Sequence, residues 1–86
     1  MSKLELPDLP AGAVFFSFVD FGPRGVYASG ENLPLSRLAL RLEDPGLEGS
    51  LITLQDAAHR DLGTIMVPAL VDRHLGVSLT FTLSEP

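Results

Sequence analysis

A chain of 86 residues has room for one hydrophobic core, and a formal charge of -5 sets it against polyanions, so no nucleic-acid partner is expected. The absence of cysteine removes disulfides, thiolate metal sites and cysteine nucleophiles together, leaving packing as the source of stability. Hydrophobic residues make up 45% of the chain and charged residues only 20%, a thin polar cover that implies an apolar surface meeting a partner.

No apolar run approaches the length a bilayer requires, and the first residues lack a continuous apolar stretch behind Lys3, so a cytoplasmic protein without a membrane partner is expected. Lys3 is the sole lysine beside Arg24, Arg37, Arg41, Arg60 and Arg73. With abundant Leu, Ala, Gly and Pro, that bias points to GC-rich bacterial coding.

In chain order, residues 1–12 read as an extended arm. Pro7, Pro10 and Gly12 disfavour a helix or a central strand, while Leu4, Leu6 and Leu9 are too apolar for a solvated tail and point to docking, on the same domain or a neighbouring subunit. Residues 13–86 form the single β domain.

Ala13–Phe21 has the aromatic and β-branched density of a strand, with apolar side chains on both faces: Val14, Phe16 and Phe18 on one, Phe15, Val19 and Phe21 on the other. Asp20 marks the point where the first face emerges into solvent. Gly22-Pro23-Arg24-Gly25 is turn chemistry, and Val26–Ser29 returns as the second arm of a hairpin.

In 35–43, Leu38, Leu40 and Leu42 alternate with Arg37, Ala39, Arg41 and Glu43. A helix would leave Leu40 on the charged side, so a strand is preferred. Asp44-Pro45-Gly46 is a turn, followed by a strand at Ser50–Gln55. Asp56–Asp61 is a polar connection lacking the glycine of a minimal hairpin, and Leu62–Val67 is the next strand. Residues 68–75 form either one or two helical turns, with Pro68 at the start and Gly76 past the end, or a loop. Val77–Ser84 alternates apolar residues with small hydroxyls, as a strand with one wet face does.

The expected fold is therefore all-β or mainly β α+β: about six mostly antiparallel strands in a small sandwich or half-open barrel, with at most one short helix near 68–75.

Two polar triplets carry the histidines, His59-Arg60-Asp61 and Asp72-Arg73-His74. Imidazole and carboxylate are ligand chemistry for a divalent metal, so His59, Asp61, Asp72 and His74 are the candidate metal or hydrolytic residues of an alternative, ligand-binding reading. In an antiparallel meander the two loops lie at opposite ends of the strand between them, which counts against that site. No serine sits in a nucleophile-elbow context, Gly22–Gly25 is too short for a phosphate cradle, and no cofactor is implied.

The stronger signal is the apolar second face of the first strand, which a chain offering almost no helix has little means to cover. The expectation is a non-enzymatic interaction or oligomerisation module that binds itself as a homodimer, or another protein. Phe15, Val19, Phe21 and Tyr27 form the contact surface, joined by Leu4, Leu6 and Leu9 of the arm.

Overall fold

The computed structural model describes residues 9–77 and 79–83. It has the mainly β character expected, as one five-stranded antiparallel sheet in the order β2-β1-β3-β4-β5. The strands are β1 (Phe15–Gly22), β2 (Gly25–Pro34), β3 (Ser50–Gln55), β4 (Asp61–Val67) and β5 (Thr80–Leu83). A 3-10 turn at Leu35–Arg37 leads into helix α1 (Leu38–Glu43), and α2 (Leu70–His74) joins β4 to β5. The second helix falls within the segment where helical turns were one of the two expectations.

The first strand pair is a tight hairpin through Pro23 and Arg24, with Gly22 opposite Gly25. The other β1 neighbour, β3, arrives only after the chain has passed through α1, and its register is uninterrupted from Phe15 opposite Gln55 to Asp20 opposite Ser50. In each central strand alternate residues turn to one side, where Phe16 of β1, Ile52 and Leu54 of β3, and Ile65 and Val67 of β4 are buried and Phe18 is half-buried. Phe18 lies on the same face, and its ring passes so close to β2 that a Cβ on Gly30 would sit 2.5 Å from its Cε1, so only glycine fits there.

This face is closed by α1, where the sequence pattern led us to expect a strand. Leu38 and Leu42, one helical turn apart, are buried and join the core of Phe16, Ile52, Leu54, Ile65 and Val67. Leu40, whose awkward place argued against a helix, points outward and is 71% exposed. A single exposed leucine costs little, whereas a further strand in its place would have left the core side of the sheet without a lid. Among the described residues the count is therefore five strands rather than six, and the layers are one open sheet plus a helix rather than two sheets or a barrel.

Asp20 is the second departure. It lies on the core side and is 4% exposed, instead of emerging into solvent. One carboxylate oxygen, Oδ1, accepts a hydrogen bond from Ser50 Oγ at 2.6 Å, and the other, Oδ2, accepts from the Arg41 guanidinium. Arg41 also donates to the Asp44 carbonyl at 2.9 Å, and its guanidinium carbon lies 4.1 Å from the centre of the Phe18 ring. That ring gives electrostatic support to a cation whose Nε is buried without an acceptor. Ser50 in turn accepts from the Gly46 amide at 2.8 Å. One buried acid thus fastens β1, α1 and the α1–β3 connection together.

The connection is tightly packed. A Cβ on Gly46 would come within 2.6 to 2.8 Å of backbone atoms of Gly49 and Phe21, and the Phe21 carbonyl accepts from the Glu48 amide. Asp44 only bends the chain: the hydrogen-bonded turn expected at Asp44-Pro45-Gly46 falls later, closed by the Gly49 amide on the Gly46 carbonyl at 2.9 Å, and Glu48 and Gly49 extend the pairing of β1 beyond the end of β3.

Candidate interaction surface

On the opposite side of the same strands, register places Phe15, Ser17, Val19 and Phe21 of β1 beside Leu51, Thr53 and Gln55 of β3 and Asp61, Thr64 and Met66 of β4. Thr80 and Thr82 of β5 continue this side past Met66 and Thr64, and Val26 and Ser29 of β2 stand opposite Phe21 and Val19. Among the described residues no second sheet covers it, and α1 lies on the other side. The β1 and β3 side chains here are half-buried by their neighbours, while Met66 and Val26 are more than half exposed at 51% and 61%.

The face is organised in rows that run across the strands. Ser29, Val19, Leu51, Met66 and Thr80 form a row with an apolar middle, and Val26 beside Phe21 extends the apolar part towards the hairpin. Ser17, Thr53, Thr64 and Thr82 form a parallel row of hydroxyls. Beyond it Phe15, Gln55 and Asp61 close the face, and of all these residues Asp61 alone carries charge. In a chain of net charge -5, this surface is sparsely charged.

A recess of about 240 Å³ opens at the apolar end, lined by Phe21, Glu48, Met66, Pro68, Val77 and Thr80. Ligand pockets for drug-sized molecules begin at about 300 Å³, so this one suits a single side chain better than a cofactor. A second recess of about 310 Å³ lies between α1 and β2, where Arg41 is already engaged with Asp20 and Asp44.

The loop joining β3 to β4 caps the Phe15 end. Asp56 organises it: its Oδ1 accepts from the amides of Ala58 and Arg60 and its Oδ2 from Arg60 Nε, each at 2.9 Å. These donors, with the nearby guanidinium, hold the Asp56 carboxyl below its ordinary value, the Arg60 amide contributing most. The His59 amide donates to the Asp56 carbonyl and the Asp56 amide to the Arg60 carbonyl, so the hairpin closes tightly after all. His59, with φ of 63°, occupies the left-handed position that glycine takes in such loops. Its ring stacks on Phe15, centroids 4.8 Å apart and planes 20° from parallel.

Of the residues singled out from sequence, Phe15, Val19 and Phe21 share this face. Tyr27 does not join them: the bulge between Asp20 and Phe21 turns it to the other side, where its ring lies over Gly22 and is 59% exposed. Leu9 packs on the main core, on the helix-covered side. Leu4 and Leu6 fall outside the described residues. Leu51 and Met66 were missed, although the alternation in β3 and β4 that buries Ile52 and Ile65 assigns both to this side.

The two histidine triplets do not converge. His59 and Asp61 lie at the start of β4 and Asp72 and His74 on α2 beyond its end, separated by a strand that spans roughly 20 Å. Among the described residues no three His, Asp or Glu side chains gather as a metal site would require, and no helix is long and apolar enough to cross a membrane. No protein-family model, curated protein or solved structure matches this chain.

Proposed function

We propose that this chain is a non-enzymatic self-association module whose contact surface is the open face of the sheet. The observation that carries this reading is the uncharged apolar row Val19, Leu51 and Met66, with Phe21 beside it, on a sheet whose lid α1 lies on the other side. Neutrality favours a second copy as the occupant. Two acidic chains repel wherever their carboxylates approach, and the middle of this face, Val19, Leu51 and Met66, holds none.

The size of the surface supports the same reading. Five strands at ~4.8 Å spacing and ~20 Å length give a face of roughly 500 Å². A symmetric pair then buries about 1,000 Å², the lower bound for a specific interface. The recess beside Phe21 and Met66 offers each copy a socket for an apolar side chain of the other.

Light scattering coupled to size exclusion tests this. The wild type is expected to run above the monomer mass, and Leu51→Glu and Phe21→Glu to run as folded monomers with unchanged far-ultraviolet circular dichroism. A monodisperse wild-type monomer at micromolar concentration overturns the proposal. Removal of residues 1–10 completes the test, because an unchanged mass assigns the contact to the sheet face and a monomer assigns it to the arm.

A further inference from the structure

The sheet has two edges, and they are built differently. On the β2 edge the pairing slips twice, between Phe16 and Phe18 and between Asp20 and Phe21. That strand also carries a charge at Glu31, a left-handed residue at Asn32 with φ of 54°, and Pro34 at its end. Bulges, charges and prolines are the devices that stop an edge from recruiting another strand.

The β5 edge carries none of them. Thr80-Phe81-Thr82-Leu83 is uncharged, free of glycine and proline, high in β-propensity and paired with β4 in unbroken register. Beyond it, among the described residues, no strand follows. Among the described residues no strand pairs with the backbone amides and carbonyls of β5 that point away from β4, and Thr80 and Thr82 are exposed.

We propose that the free edge of β5 pairs antiparallel with β5 of a second copy, joining two sheets into one. A second copy fits because an antiparallel strand added to its own twin makes a two-fold, self-complementary contact that closes after one step. The strand's neutrality sets no like charges opposite each other in the pairing of two chains of charge -5. With only four residues the pairing is weak, which matches its place as a second contact beside the larger sheet face. This contact extends the self-association reading but uses different atoms, so the two fail separately.

The absence of cysteine makes a clean cross-linking test possible. Leu51→Glu is introduced to break the face contact, and Thr82→Cys or Glu31→Cys is added as the only thiol, on β5 or β2. Under mild oxidation the β5 variant is expected to accumulate a disulfide-linked dimer at several times the rate of the β2 variant. Equal rates, or no dimer from Thr82→Cys, overturn the β5 contact. The mass of Leu51→Glu without any cysteine judges the face contact on its own. Amide exchange on the cysteine-free wild type gives an independent reading: concentration-dependent protection at Thr80–Leu83, absent from Gly25–Pro34, is the expected pattern, and its reverse overturns the proposal.

Discussion

The two faces of this sheet are drawn from the same three central strands and have opposite fates. On one side Phe16, Ile52, Leu54, Ile65 and Val67 are sealed beneath Leu38 and Leu42 of α1. On the other, Phe15, Val19, Phe21, Leu51 and Met66 are interleaved with Ser17, Thr53 and Thr64 and keep access to solvent. What separates them is less the apolarity of single residues than the presence of a lid, together with hydroxyls that let the second face stay wet when it stands alone. Apolar density in a strand therefore marks a surface to be covered without saying by what.

Substitutions of matched size break this comparison most directly. Ile52→Ala empties a fully buried site and is expected to cost about 2–5 kcal/mol in urea denaturation, while its neighbour Leu51→Ala, facing the other way, is expected to cost about 1 kcal/mol in the monomer. Equal losses would mean that both faces are core, and the self-association reading would lose its basis.

The acid buried on the sealed side comes next. Asp20→Ala leaves the Arg41 guanidinium and the Ser50 hydroxyl without their shared acceptor and is expected to cost about 3 kcal/mol, little altered by added salt because the pair is shielded from solvent. A loss below about 1 kcal/mol, typical of exposed pairs, would show the cluster to be open to water.

On the open side, His59 is the sharper probe. Its ring covers Phe15 while its backbone sits in a conformation that favours glycine. His59→Ala loses the stack and keeps the backbone cost, whereas His59→Gly loses the stack and removes that cost, so the glycine variant is expected to be the more stable by about 1 kcal/mol. Thermal unfolding of the two side by side decides it.

The smallest effect belongs to Asp56, in the same loop. Its folded carboxyl titrates below its unfolded value, so the unfolded chain takes up a proton first as pH falls. The stabilisation is therefore complete above the ordinary carboxylate range and disappears as pH drops through the lowered folded value. Asp56→Asn is expected to remove this part of the acid sensitivity, so the gap in stability between wild type and variant should narrow as pH falls through that range.

Much of this architecture is legible from residues close together in the chain. The β1–β2 hairpin follows from Gly22-Pro23-Arg24-Gly25, and β3 and β4 follow from compact β-branched runs, because such signals depend on neighbours within a few positions. The lid was not legible: in 35–43 the leucines satisfy period two better than the helical period, and only the need of a distant sheet for cover decides for the helix. Asp20 was misread for a related reason. Its parity with Phe16 and Phe18 assigned it to the covered side, but its partners Arg41 and Ser50 stand 21 and 30 residues away, beyond the reach of any local pattern. The open face was half legible, since Phe15, Val19 and Phe21 stand out in one run, whereas Leu51 and Met66 are set to this side by alternation but meet Val19 through register, and Tyr27 is removed by a bulge.

The fastening of α1 has a consequence for how the molecule comes apart. A helix of six residues held only by two leucines would fray independently, exposing the core to water long before the strands separate. Because Asp20 is bound at once by Arg41 from the lid and by Ser50 from the third strand, lifting that lid strips the guanidinium from a buried charge on a central strand. Lid and sheet then melt as one cooperative unit, and the amides of Leu42 and Ile52 should exchange with solvent at a common, global rate.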